Sequence, residues 1–106
     1  MFTGNYYGER SSIDGVPDRR LLVLVSLSDS PKHGYAMQQD IEEFAGVRLG
    51  PGTLYGAISS LERDGLIRAR AGDDRRRPYE LTASGRRALQ DELTTLDAVL
   101  HRAVAT

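Results

Sequence analysis

Hydrophobic and polar positions along the chain change period several times, and each change predicts an element. Residues 1–17 carry no period. They are rich in Gly, Ser and Asn, with Tyr6 and Tyr7 the large side chains that stand out. They read as a flexible arm, either a disordered leader or a segment packed on a partner subunit. Asp18 is an N-cap for a first helix from 19 to about 28. Leu21, Leu22, Leu24, Val25 and Leu27 make that helix nearly all apolar, so it belongs in a core, and Asp29-Ser30-Pro31 stops it. A second helix starts near His33 or Gly34 and runs to Ala45, with Met37, Ile41 and Phe44 as its core face. Gly46 follows where a left-handed residue ends a helix. Residues 47–49, Val-Arg-Leu, have the composition of a short strand.

In residues 50–67, GPGTLYGAISSLERDGLI, the apolar residues Leu54, Ala57, Ile58 and Leu61 recur at three and four, lining one helix face. Pro51 suits a first helical position, Gly50 the N-cap and Gly65 the end. Residues 66–71 then alternate as a strand, Gly72-Asp73-Asp74 is turn chemistry, and residues 78–81 return. Tyr79 and Leu81 share the core side of this hairpin. Thr82 caps a last helix from 83 to about 103, where Leu89, Leu93, Leu96, Leu100 and Ala103 recur at four, three, four, three. That spacing is a heptad seam, which predicts a helix that finds a partner helix rather than folding back on its own core.

Composition narrows the function. A chain of 106 residues reads as one domain, with little room for both a core and a buried catalytic pocket. The absence of cysteine removes disulfides, thiolate metal sites and a Cys nucleophile. Two separated histidines, His33 and His101, do not make a zinc site. No catalytic residue, metal site or cofactor is expected. Without a membrane-length apolar run or a signal-peptide segment, the expected location is the cytoplasm, with no membrane partner. GPGT lacks the Gly-Lys-Ser/Thr that completes a nucleotide loop.

The net charge is −1, but its distribution is uneven. Residues 63–79 hold six arginines against three aspartates, while the rest of the chain holds eight positive and twelve negative side chains. Locally basic charge on an otherwise acidic chain fits a DNA reader. The polar face of the helix that opens at Pro51 offers Thr53, Tyr55, Ser59, Ser60 and Arg63, small donors suited to a major groove. Lys32, His33, Gly34 and Tyr35 stand at the start of the second helix, where free backbone N–H groups favour phosphate. Arg75, Arg76 and Arg77 lie near the hairpin tip, placed to straddle phosphates or enter a minor groove.

Three stretches in order resemble the PadR family of winged helix-turn-helix transcriptional regulators. They are HGYAMQQDI at 33–41, GTLYGAISSLERDGLI at 52–67 and RRRPYELTASGRRAL at 75–89. The resemblance spans roughly residues 19–100. It implies a winged helix, mainly α with a small β wing of two strands and room for a third. It also implies that the Gly-Thr-Leu-Tyr segment enters the major groove, which carries that role onto Gly52, Thr53 and Tyr55. Many members have Pro after this Tyr, and this chain has Gly56.

The expected organisation is an arm (1–17), a winged helix-turn-helix DNA-binding domain (18–82) and a dimerisation helix (83–106). The expected function is a homodimeric, sequence-specific repressor on a double-stranded inverted-repeat operator, with Leu89, Leu93, Leu96 and Leu100 as the dimer contact. Relief by a small-molecule effector or stress signal, and a place in the short-tailed branch, follow from the resemblance alone. The alternative is a winged-helix protein-interaction module that never touches DNA. An acidic or apolar face on the helix that opens at Pro51 would mark it.

Overall fold

The computed structural model describes residues 18–71 and 77–105. It is a mainly α winged helix: α1 (Arg19–Ser26), α2 (Gly34–Ala45), α3 (Pro51–Arg63), β1 (Ile67–Ala69), β2 (Tyr79–Leu81) and α4 (Ala83–Ala105). Local chemistry sets the boundaries. The Asp18 carboxylate accepts from the Arg20 N–H at 2.9 Å and caps α1. Gly46 ends α2 in the left-handed region at φ 69°, its N–H donating to the Glu42 carbonyl at 3.0 Å. Gly65, at φ 76°, ends α3 in a Schellman arrangement. The Leu66 N–H donates to Leu61 O at 2.9 Å and the Gly65 N–H to Glu62 O at 3.0 Å.

A single core forms where α1 crosses α3 and α2. It holds Leu22, Val23, Leu24 and Leu27 of α1, Met37 and Ile41 of α2, and Leu54, Ala57, Ile58 and Leu61 of α3. Leu49, Ile67, Leu81 and Leu89 close it. The wing strands pair antiparallel with Ile67 opposite Leu81, Arg68 opposite Glu80 and Ala69 opposite Tyr79. The period of two puts Ile67 and Leu81 inward, while Arg68 and Glu80 form an ion pair at 2.8 Å on the other face.

The third strand comes from a different place than the sequence pattern indicates. Residues 47–49 form no strand, and the Leu49 carbonyl accepts from the Gln38 side chain. Instead Lys32 pairs with Tyr79 on the free edge of β2. The Lys32 N–H donates to Tyr79 O at 3.1 Å and the Tyr79 N–H to Lys32 O at 2.9 Å. Phe44 is also not core, being 45% exposed. The buried face of α2 continues from Ile41 by four residues to the partly buried Ala45, which leaves Phe44 outside.

Helix α4 has two unlike parts. Thr82 caps it: the Gly85 N–H donates to Thr82 Oγ1 at 3.0 Å, and that hydroxyl donates to Gly65 O at 2.7 Å. Gly85 and Leu89 are buried. Every residue from Gln90 to Ala105 is exposed, including Leu93, Leu96, Val99, Leu100 and Val104. Leu89, read from sequence as the first residue of the intersubunit seam, therefore packs in its own chain's core, because α4 leaves the globule only after it. A helix of 23 residues is about 35 Å long. Its free half lies beyond the globule in a molecule measuring 49 × 26 × 25 Å.

Candidate nucleic-acid interface

Helix α3 separates its chemistry cleanly. Leu54, Ala57, Ile58 and Leu61 are buried, while Gly52, Thr53, Tyr55, Gly56, Ser59 and Arg63 are exposed. Its N-cap Gly50 makes no side-chain capping bond and Pro51 follows, so the first turn carries no side-chain cap. The helix N-terminus therefore presents its positive dipole end to whatever approaches.

Ser60 does not share this open face. It is half-buried, and its hydroxyl accepts from the Arg20 guanidinium, which also pairs with Asp64 at 2.9 Å. Position 60 points back to α1, so Ser60 is a bracket between helices rather than an outward donor. Lys32 departs from expectation in the same way. Its ammonium donates to the Ser26 carbonyl at 2.5 Å and to Asp29 at 2.6 Å, with Asp40 at 3.9 Å. The side chain is 14% exposed. Three oxygens at the end of α1, in the turn after it and on α2 draw the cation inward, away from the open surface. The same contact holds the Asp29 carboxyl below its ordinary range, by hydrogen bond first and charge second.

His33 is the N-cap residue of α2, exposed and extended at φ −74°, ψ 161°, and its side chain makes no capping bond. Gly34 is buried beneath Tyr55. Tyr35 is 69% exposed, and its hydroxyl accepts from Gln39 at 3.3 Å. The wing follows α3 directly. Arg68 and Arg70 share Glu80, at 2.8 and 3.6 Å, which offsets part of their charge. Arg77 is exposed and near enough to lower the Tyr79 phenol pKa. That pKa nevertheless stands above its ordinary value, through burial first, then the charges of Glu62 and Tyr55. Arg75, Arg76 and the turn at 72–74 lie outside the described residues.

The structure brings together Thr53, Tyr55, Ser59 and Arg63 on α3 and, through Gly34 against Tyr55, sets His33 and Tyr35 beside them, while Arg77 lies on the turn side of β2. It adds a residue the sequence reading missed. Arg19, in the first turn of α1, lines a cleft of about 380 Å³ with Asp18, Arg20, Gly52, Thr53, Gly56, Ala57 and Ser60. The signal was the Arg19-Arg20 pair opening an otherwise apolar helix. Reading that helix as wholly core concealed it. Among the described residues no group of His, Cys, Asp or Glu could hold a metal ion, and no helix is long and apolar enough to cross a membrane.

Comparison with known proteins gives this geometry a family. Residues 23–91 match the model of the transcriptional regulator PadR-like family. The chain is similar to an uncharacterised 37.1 kDa protein in transposon TN4556 of Streptomyces fradiae, 48% identical over 75 residues. The match takes in 71% of this chain and 22% of that protein, so the chain spans a minor part of that relative's length. It is also similar to the transcriptional regulator Rv3488 of Mycobacterium tuberculosis, 38% identical over 81 residues, 74% of this chain and 75% of that one. Among solved structures, a transcriptional regulator from Clostridium thermocellum superposes with a TM-score of 0.74 over 91% of this chain and 94% of that chain, at 21% identity. The winged helix, the three sequence stretches along it and the family match agree: the chain belongs to the PadR-like family of transcriptional regulators, a family of regulators and not of enzymes.

Proposed function

We propose that the chain acts in the cytoplasm as a homodimeric, sequence-specific DNA-binding repressor. The observation that carries this is the exposed face of α3. It holds no carboxylate in its first two turns, presents Thr53, Tyr55 and Ser59, and runs on to Arg63. A helix entering the major groove by its N-terminal end offers its first residues to base edges. Gly52, Thr53 and the outer edge of the Tyr55 ring read bases. Ser59 and Arg63 meet flanking phosphates. The α2 N-terminus with His33 and Tyr35, Arg19 on one side, and Arg75, Arg76 and Arg77 of the wing hold the backbone on either side.

The bare half of α4 supports self-association. Leu93, Leu96 and Leu100, flanked by Val99 and Val104, form an apolar strip too long for a solvated helix. Asp91 and Glu92 lie on one side of Leu96 and Arg102 on the other. An antiparallel pairing centred near Leu96 brings opposite charges together. A two-fold dimer reads a pseudo-palindrome. Relief of repression by a small molecule or stress signal completes the reading, on family likeness.

Titration of the chain on an inverted repeat from its own upstream DNA and on a scrambled duplex, at one salt concentration, tests it. Binding roughly 10³-fold tighter or more to the repeat is expected. Equal affinity refutes sequence-specific reading. No binding to either duplex at low salt refutes the DNA-binding reading and favours an interaction module.

A further inference from the structure

Gly34 and Tyr55 come from helices that the sequence separates by a loop, yet they share one space. A Cβ built on Gly34 would lie 2.1 Å from the Tyr55 hydroxyl oxygen, 2.5 Å from Cζ and 3.0 Å from Cε1. The phenol end of Tyr55 is laid on the bare backbone of the first residue of α2, while the residue as a whole stays 47% exposed. The backbone of Gly34 does not adopt the positive φ that favours glycine. What glycine supplies there is room for the ring.

The wing is fastened to the same point. Lys32, two residues before Gly34, exchanges both backbone hydrogen bonds with Tyr79 at the start of β2. The Lys32 side chain in turn is held by Ser26, Asp29 and Ser30 at the end of α1. The Tyr79 phenol feels both Tyr55 and Glu62 of α3. The start of α2 therefore carries two attachments close together, the Tyr55 ring of α3 on Gly34 and, two residues earlier, the edge of β2 on Lys32.

We propose that Tyr55 is a positioning residue whose phenol, seated on Gly34, sets the angle between the recognition helix and the wing, and that its hydroxyl is not a DNA contact. This rests on the DNA-binding reading above. It assigns the outer ring edge to the groove and the hydroxyl end to Gly34. It also makes positions 34 and 55 a coupled pair, so the effect of changing one depends on the other.

The test crosses Gly34→Ala with Tyr55→Phe and measures binding to the inverted-repeat duplex across a salt series. Tyr55→Phe alone keeps the ring and is expected within about twofold of wild type. Gly34→Ala places a methyl on the phenol, adds nothing toward DNA and is expected to weaken binding about tenfold or more. A displaced wing also lets go of phosphates, so its plot of log affinity against log salt flattens by about 0.9 for each phosphate released. A smaller fraction of folded protein would leave that slope unchanged. In the double variant the hydroxyl oxygen is gone and Cζ, at 2.5 Å, is the nearest atom left, so the overlap shrinks without vanishing and roughly threefold of the affinity returns. A tenfold weakening in Tyr55→Phe alone overturns the proposal, because the hydroxyl then touches DNA. Wild-type binding by Gly34→Ala, or effects that simply multiply in the double variant, overturns it too. Melting temperatures of the same proteins give a second arm: Tyr55→Phe should raise the melting temperature of Gly34→Ala, and a lack of rescue there also refutes the seat. That arm stands even if wild type binds no duplex, an outcome that refutes the DNA-binding reading instead.

Discussion

Two glycine-to-alanine substitutions in helices should move stability in opposite directions. At Gly85 an added Cβ would lie 1.9 Å from the Leu66 carbonyl oxygen and 2.9 Å from its carbon. An ordinary carbon–oxygen contact is about 3.3 Å or more, so the first turn of α4 must retreat by roughly 1.4 Å. Both obstacles are backbone, and no rotamer relieves them. Retreat strains the Thr82 N–H to Leu66 O bond at 3.1 Å and the Thr82 hydroxyl to Gly65 O bond at 2.7 Å. Each contributes about 1 kcal/mol net. It also loosens Leu89 and Leu81, now 4% and 8% exposed. Against this stands a gain of about 1 kcal/mol in helix propensity. The balance for Gly85→Ala is a loss of about 2–4 kcal/mol. Gly56 has nothing within 4 Å of an added Cβ and lies inside α3, so Gly56→Ala should gain about 0.5–1 kcal/mol. Urea unfolding followed by circular dichroism of the helices, at one fixed protein concentration, reads both. Shifts of the same sign, or a Gly85→Ala midpoint at or above wild type, would refute the reasoning.

The bare half of α4 and the alkaline limit give the remaining predictions. Leu96→Asp sets a carboxylate in the apolar strip, which costs several kcal/mol in a paired helix and nothing in a lone one; sedimentation should show a dimer becoming a monomer, and an unchanged mass would sink the dimer reading. Tyr79 has a raised folded pKa, so its contribution to stability is complete below the unfolded value of about 10 and is lost as pH rises through the folded one. Tyr79→Phe should remove that part of the alkaline fall in stability, and identical pH profiles for the two proteins would show that the phenol carries none of it.

The parts of this molecule that are legible in the sequence are those where one local pattern decides. Helix α3 has a different chemistry on each face, a proline at its start and a glycine after its end, so its limits and its buried side follow from spacing alone. Asp18, Gly46 and Thr82 act on neighbours two to four residues away, and their roles are readable for the same reason. The misreadings have a common cause in distance along the chain. The Lys32–Tyr79 pairing joins backbones 47 positions apart, and backbone hydrogen bonds leave no mark on the side-chain pattern. Lys32 and Ser60 are recognisable as donors, but a sequence does not say which way a donor turns. Here Ser26, Asp29 and Arg20 claim them. Phe44 and Ala45 both fit a core face after Ile41, and only the crossing of the helices chooses between them. The heptad from Leu89 to Leu100 is continuous in sequence, whereas the fold takes Leu89 for the core and leaves the rest outside.

That division of α4 ties the face of α3 to whatever covers the free leucines. Thr82 is bonded at once to the Gly65 carbonyl, just past the end of α3, and to the Gly85 N–H inside α4. Gly85 then brings α4 into backbone contact with Leu66, and Leu89 anchors the next turn in the core. The end of α3 and the start of α4 thus form one unit with few soft torsions between them. In the dimer proposed above, the separation and tilt of the two α3 helices are set by how two α4 helices cross. A small change in that crossing, acting over the roughly 24 Å from residue 89 to residue 105, moves the far end by a multiple of the near one. DNA tolerates little error in half-site spacing, since the sites must lie about one helical turn apart. Under that proposal a ligand or substitution at the α4 pairing should weaken operator binding without touching a residue on the exposed face of α3, while binding to random DNA, which has no half-sites to match, should fall much less.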